Sequence, residues 1–240
     1  MSVEILSQDT PHQPVKNSDL IILVDKPLDF TSADIVRILK KTLSLKKLGH
    51  SGTLDPKATG LLILCSDKMT KKINEFIEYD KEYEGIIRLG AVTKSFDTED
   101  EEEDIADEIS VSEEDIEKVR QIFLGVTDQL PPMYSAVKHK GRPLYKMARK
   151  GREIERSTRK INITHFEIRK INDRELFFRI SCSKGTYIRV IANDFGKYLG
   201  TGGYLKELRR TRIGHFVLED FDESVKDIRY KILDQTTGSL

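Results

Sequence analysis

Apolar residues along this chain keep changing their period, and each change marks an element. "LIILVDKP" is an unbroken apolar run ended by Pro27, which predicts a short buried strand. Thr31 or Ser32 then caps a helix whose apolar positions, Ile35, Val36, Ile38, Leu39 and Leu43, recur at helical spacing. A loop over residues 49–60 leads into a second apolar strand, "LLILC". Residues 68–79 read as a helix with Ile73, Phe76 and Ile77 on one face. In "KEYEGIIRLGA" the set Tyr83, Gly85, Ile87 and Leu89 alternates, the two-residue period of a half-buried strand. Ser112 caps a further helix that turns Ile116, Val119, Ile122 and Phe123 inward and ends at Gly125. "KINITHFEIRKI" and "RELFFRISC" form a strand pair around the turn "NDR". From Thr186 a helix runs to Leu199, a second helix follows the Gly202-Gly203 break, and "GHFVLEDF" is a late strand.

Strands and helices mix here without a regular βαβ alternation. That favours an α+β fold with a central, mainly antiparallel sheet flanked by helices over a doubly wound one. Residues 1–18 are polar and carry two prolines, so they read as a loose tail, with residues 19–240 as one folded body. No internal repeat interrupts it. The acidic stretch near residues 97–110 is the one candidate for a flexible insertion.

Composition narrows the classes. Hydrophobic residues make up 38% of the 240 and charged residues 33%, the balance of a water-soluble globular protein. Its longest apolar runs are far too short to span a bilayer, and no secretory leader is expected. Cys65 and Cys182 sit in apolar strand-like runs and read as buried reduced thiols, which fits a cytoplasmic protein. Cysteines and histidines show no metal-ligand spacing, so no metal site is expected. Lys+Arg and Asp+Glu balance at 40 each, but they are not evenly spread. Residues 97–117 contain no Lys or Arg and read as a solvated acidic face. Residues 138–160 are dense in Lys and Arg interleaved with Tyr145, Met147 and glycines, and "KELRRTR" is a second basic knot. Two such patches on a neutral chain suggest one face for an anionic polymer.

"GHSGTLDPKATG" sets one aspartate, Asp55, in a loop of glycines, threonines and a proline. Asp-Pro is a common turn pair, so Asp55 reads either as a turn residue or as a carboxylate held for chemistry. No phosphate-binding glycine loop, dinucleotide fingerprint or nucleophile elbow accompanies it. What accompanies it, in order, is "VDKPLDFTS", "KEYEGIIRLG", "QLPPMYSAVKHKGRPLYKMARKG", "CSKGTYIRVIANDFG" and "LKELRRTRIGHF". Together these motifs resemble the TruB family of tRNA pseudouridine synthases over about residues 24–216.

The resemblance implies a pseudouridine synthase fold with RNA-binding loops and isomerisation of uridine-55 in the tRNA T loop, with the base flipped out and no cofactor. It implies tRNA as partner through the T stem-loop, no membrane, no obligatory protein partner and a monomer. By motif position Asp55 is the catalytic carboxylate, Arg189 pairs with it, and Tyr187 is a candidate general base. Tyr83 would stack on the flipped base, and His50 would occupy the space it leaves. Lys184 and Arg212 would meet phosphate, and Leu208 would close the pocket. Lys26, Pro27, Gly52, Pro56 and Gly60 would be structural: Pro56 biases Asp55 away from helix, and the glycines allow unusual backbone geometry. Lys138, Lys140, Arg142, Arg149, Lys150, Arg152, Arg209 and Arg210 would hold the RNA backbone.

Two departures stand out. Where the family has a glycine turn after "RLGAVTKSFDTED", this chain has "EEEDIADE". The sequence also stops about two dozen residues after "GHF", so the C-terminal PUA domain of many members is not expected. Two other readings compete with the enzyme: an RNA-binding or tRNA-folding module that has lost catalysis, and the related catalytic subunit of a guide-RNA particle. Intact Asp55 and Arg189 speak against the first, and the missing PUA domain and tails against the second.

Overall fold

The computed structural model describes residues 19–233 apart from 107, 136, 137, 140, 149, 150, 152, 153, 220 and 222. The expected tail and the cations Lys140, Arg149, Lys150 and Arg152 therefore lie outside the described residues, as do the side chains of Lys138 and Arg142.

Strand β1 (Ile21–Lys26) leads to helix α1 (Ser32–Thr42), strands β2 (Leu48–His50) and β3 (Ala58–Ser66), a 3-10 turn (Asp67–Lys72) and helix α2 (Ile73–Glu78). Next come β4 (Lys81–Leu89), β5 (Ala91–Val92), β6 (Glu103–Asp104), helix α3 (Glu113–Phe123) and β7 (Gly125–Gln129). The short β8 (Lys138–His139), β9 (Arg142–Pro143) and helix α4 (Leu144–Ala148) precede β10 (Arg159–Asn172) and β11 (Glu175–Cys182). Helix α5 (Ile188–Tyr198), β12 (Gly203–Ile213), β13 (Phe216–Val217), β14 (Glu223–Val225) and β15 (Ile228–Leu233) complete the described chain.

Eleven strands form one sheet, in the order β14-β15-β1-β3-β12-β4-β11-β10-β7, with β2 and β13 branching from β3 and β12. Every pairing in it is antiparallel except β3 with β12. The α+β expectation therefore holds. β1 and β3 are buried on both faces, which is why their sequences are unbroken apolar runs and not alternating ones. Ile22, Val24, Leu62 and Leu64 pack under Ile35 and Leu39 of α1. Ile21, Leu23, Leu61 and Ile63 pack on the opposite side with Phe76 and Phe216. In the other half of the sheet, Ile87, Leu89, Phe166 and Phe178 share a core with Phe123 of α3 and Phe195 of α5. Thr31 caps α1 through a reciprocal capping box with Asp34, and Ser112 caps α3.

Four expectations change. No second helix follows Gly203: that segment is the long strand β12, hydrogen-bonded on both sides, to β4 and to β3. Its Leu, Lys, Glu and Arg are good helix formers, and two-sided pairing with two bulges overrides that preference. The late strand is only Phe216–Val217 long. Ile122 faces solvent at 52% exposure, while Ile116, Val119 and Phe123 are buried as expected. The helix over residues 68–79 begins as a 3-10 turn. Among the described residues no helix is long and apolar enough to cross a membrane, and no cluster of His, Cys, Asp and Glu gathers as metal ligands would.

Candidate active site

The Asp55 loop is fastened on three sides. Ser32, at the start of α1, both donates its hydroxyl to the Leu54 carbonyl (3.1 Å) and accepts from the Leu54 amide (2.9 Å). Lys26, at the end of β1, has its ammonium fully buried and donates to the carbonyls of Pro27, Phe30 and Pro56 at 2.9, 2.8 and 3.3 Å. The Asp29 amide donates to the Pro56 carbonyl at 2.9 Å. Gly52 and Gly60 hold φ of 117° and 102°. At Gly60 the space matters too, since a Cβ there would lie 2.3 Å from the Arg210 carbonyl oxygen of β12.

Into this loop's exit reaches Arg189, at the second position of α5. A cation there opposes the helix dipole and calls for anions. It has two. Arg189 Nη1 lies 3.0 Å from Asp55 Oδ2 and 2.7 Å from Asp97 Oδ2, and Nη2 donates to the Tyr134 carbonyl at 2.7 Å. Side-chain exposure separates the two carboxylates: Asp97 is 6% exposed, sealed like Arg189 at 5%, whereas Asp55 is 39% exposed. Asp97 is thus the buried counter-ion and Asp55 the one a ligand can touch.

Asp97 is a correction to the reading of residues 97–117 as a solvated face and of the stretch near residues 97–110 as a flexible insertion. Its carbonyl accepts from the hydroxyls of Thr93 and Ser95, its carboxylate from the Glu99 amide, and its chain bridges to Leu205 of β12. The rest of the run is partly tied down as well. Glu102 bonds Arg88 and Tyr204, and β5 pairs with β6 in place of a glycine turn. Asp97 differs from the acidic residues after it in following Phe96 and having no charged neighbour, a signal legible in "KSFDTED".

Burial pushes the Asp55 carboxyl above its ordinary range. Arg189, Lys26 and Arg210 pull it back and Asp97 pushes it further. Burial also lowers the Lys26 ammonium to about 8, against the attraction of Asp55.

A cavity of about 300 Å³ opens over Asp55. Its walls are the loop from Ser51 to Asp55, Ile77, Tyr83, the segment from Lys184 to Arg189, Leu208 and Arg210. The volume is at the low end for small-molecule sites. Asp55, Arg189, Tyr187, Tyr83, Lys184 and Leu208 are therefore brought together as the sequence proposes. A larger groove of about 540 Å³ lies beside Lys57, Phe177 and Lys206, but it holds neither Asp55 nor Arg189.

Other expected residues are placed differently. His50 sits in β2 opposite Leu64 and is not on the cavity wall, and burial lowers its imidazole below the usual range. Arg210, expected on an RNA-backbone face, is 2% exposed, donates from Nε to the Leu61 carbonyl and lines the cavity. Arg209 reaches Asp25 at 2.8 Å, and Arg212 reaches Glu82 at 3.3 Å, outside the cavity. Lys206 bonds Glu175. The second basic knot is thus largely neutralised by carboxylates of β1, β4 and β11, which the sheet brings within reach of β12. Lys184 lines the cavity and pairs with Glu78 at 2.5 Å.

Known proteins share this architecture and sequence. Residues 40–188 match the N-terminal domain model of TruB family pseudouridylate synthases, and residues 189–236 match the C-terminal domain of tRNA pseudouridylate synthase B. A tRNA pseudouridine synthase B of Chlorobaculum tepidum is 50% identical over 204 residues, 83% of this chain and 85% of that protein. One from Flavobacterium johnsoniae is 44% identical over 219 residues, 86% of this chain and 96% of that protein. Among solved structures, a chain of a Cbf5-Nop10-Gar1 complex superposes with a TM-score of 0.66 at 32% identity, covering 84% of this chain. This chain spans 51% of that longer protein. On the family models and on these relatives, the chain belongs to the TruB family of tRNA pseudouridine synthases.

Proposed function

We propose that this protein converts uridine-55 of the tRNA T loop to pseudouridine, with the base flipped into the cavity over Asp55. The observation that carries the reading is the partly exposed Asp55 carboxylate held 3.0 Å from a buried arginine at a cavity of about 300 Å³. Isomerisation breaks the N1–C1′ bond, turns the base and joins C5 to C1′; C5 then gives up its proton and N1 takes one up, so the product is an isomer of the uridine. A carboxylate serves as nucleophile or as stabiliser of cationic sugar only when ionised. Arg189 and Lys26 oppose the burial that would protonate it.

Unstacking a base costs a few kcal/mol, which an aromatic platform and an enclosed pocket recover. Tyr83 offers the platform from β4 and Leu208 the apolar contact from β12. Tyr187, on the cavity wall with the guanidinium groups of Arg159 and Arg189 at 5.0 and 5.8 Å from its ring centroid, is the candidate proton acceptor for C5. Lys184 offers positive charge to the phosphates around the extruded nucleotide, and the basic segment of residues 138–160 offers it to the stem.

A second reading, action only within a protein–RNA particle, draws on the 32% likeness to a chain solved in complex with other proteins. The stand-alone reading is favoured by the higher identity to relatives named tRNA pseudouridine synthase B. Purified protein, incubated alone with an unmodified tRNA transcript, should place pseudouridine at position 55. A transcript that stays unmodified, or is modified elsewhere, overturns the proposal.

A further inference from the structure

Helix α5 begins in an awkward way. Its N-cap is Tyr187, whose side chain makes no capping bond, and its first turn carries the cation Arg189 and no acidic residue. Such a start leaves an orphan amide and an unfavourable dipole interaction. Both the proposed proton acceptor and the catalytic arginine depend on it.

Gln129 supplies the missing cap from another element. It is the last residue of β7, is 5% exposed, and lies far from Tyr187 in sequence. Its Oε1 accepts from the Tyr187 amide at 2.8 Å, and its Nε2 donates to the Tyr187 carbonyl at 3.0 Å. That same carbonyl accepts the first helical bonds, from Val190 and Ile191 at 3.1 and 3.3 Å. One primary amide thus satisfies both backbone groups of Tyr187, and only a side chain with a donor and an acceptor side by side can do so. Arg159, directly opposite Gln129 in the β7–β10 register, holds the other end of the residue. Its guanidinium stands 5.0 Å from the centroid of the Tyr187 ring, and its Nη1 donates to the Gly185 carbonyl at 3.3 Å.

We propose that Gln129, with Arg159, is a positioning residue for the isomerisation: it fixes Tyr187 and, through the first turn of α5, aims Arg189 at Asp55. This rests on the functional reading above. Gln129 touches no substrate, so its loss should appear in the chemical step and not in tRNA affinity. A group misdirected two residues further on costs rate because effective molarity falls steeply with misalignment.

The test uses the full chain with Gln129→Met and Gln129→Glu. Gln129→Met keeps the volume and deletes both bonds. Its single-turnover rate at saturating tRNA should drop about 10-fold or more, the worth of one buried hydrogen bond, while the tRNA dissociation constant stays within about 3-fold. Gln129→Glu has an internal control. The glutamate accepts from the Tyr187 amide but sets an oxygen against its carbonyl; the neutral acid restores the donor. The ratio of the Gln129→Glu rate to the wild-type rate should therefore rise as pH falls. A role in stability alone would lower the melting temperature but leave the rate of folded protein and its pH ratio unchanged. An unchanged rate in folded Gln129→Met, or a ratio flat with pH, overturns the clamp. Absence of product from wild type itself overturns the functional reading instead.

Discussion

Lys26 should make the protein's stability depend on pH in an unusual direction. Its ammonium is fully buried, and burial lowers it from the ordinary 10.5 to about 8. In the unfolded chain the same amine keeps its proton until 10.5. Between these values the unfolded state binds more protons, so stability rises with pH there. The burden is fully present below pH 8 and is relieved towards pH 10.5, and the difference between the two values is worth about 3 kcal/mol. Lys81 is lowered to about 8 in the same way, so the comparison must isolate Lys26. Lys26→Met removes the titration, keeps the length of the side chain and leaves Lys81 in both proteins. Urea unfolding of both should show the wild type gaining on the variant by about 3 kcal/mol between pH 7 and 10.5. A stability difference that does not change with pH would refute the reasoning. It would mean that the carbonyls of Pro27, Phe30 and Pro56 already compensate the charge.

Asp55→Asn should abolish turnover and leave tRNA affinity nearly unchanged, as measured by product mapping and filter binding, since affinity comes mainly from phosphate contacts. Burial raises the Asp55 carboxyl, so the folded protein holds a proton there at pH values where the unfolded chain has lost it. Ionisation therefore costs stability as pH rises, and the same variant should melt higher than wild type at neutral pH, with the gain disappearing in acid. Arg189→Lys cannot keep bonds to Asp55, Asp97 and the Tyr134 carbonyl at once, and should slow single turnover by about 10-fold or more; equal rates in wild type and variant would break the shared-arginine picture. Gly60→Ala adds strain at φ 102° and a 2.3 Å approach to the Arg210 carbonyl, and should lower stability by about 3 kcal/mol in urea unfolding.

Local patterns in the sequence carried those elements whose side chains see one environment. The unbroken runs of β1 and β3, the alternation of β4 and the capped helices α1 and α3 all follow from neighbours within a few residues. The motifs that resemble the TruB family, taken together, named the carboxylate, its arginine, both tyrosines and Leu208, and these side chains line one cavity. What escaped depends on distant pairing. β12 reads as a helix because its residues favour helix, and only hydrogen bonds to β3 and β4 make it a strand. The same sheet pairing turned an exposed-looking basic knot into ion pairs with Asp25, Glu82 and Glu175. Asp97 escaped because residues 97–117 read together as one acidic run: its place after Phe96 with no charged neighbour sets it apart, but only the fold brings it to Arg189.

The parallel seam between β3 and β12 has a kinetic consequence. Gly60 meets Arg210 across it, and the Arg210 guanidinium closes on the Leu61 carbonyl 149 residues away in the chain. Closing so long a loop is entropically costly and yields few local contacts on the way, so this junction should form late. Asp55 sits just before the first of these strands, while Leu208 and Arg210 belong to the second. On a ribosome the Asp55 loop can pack against α1 early, but the wall opposite it does not exist until residue 210 has emerged. The nascent chain therefore carries the Asp55 carboxylate in an open, solvent-screened loop through most of synthesis. The cavity comes into being late, when β12 slots between β3 and β4.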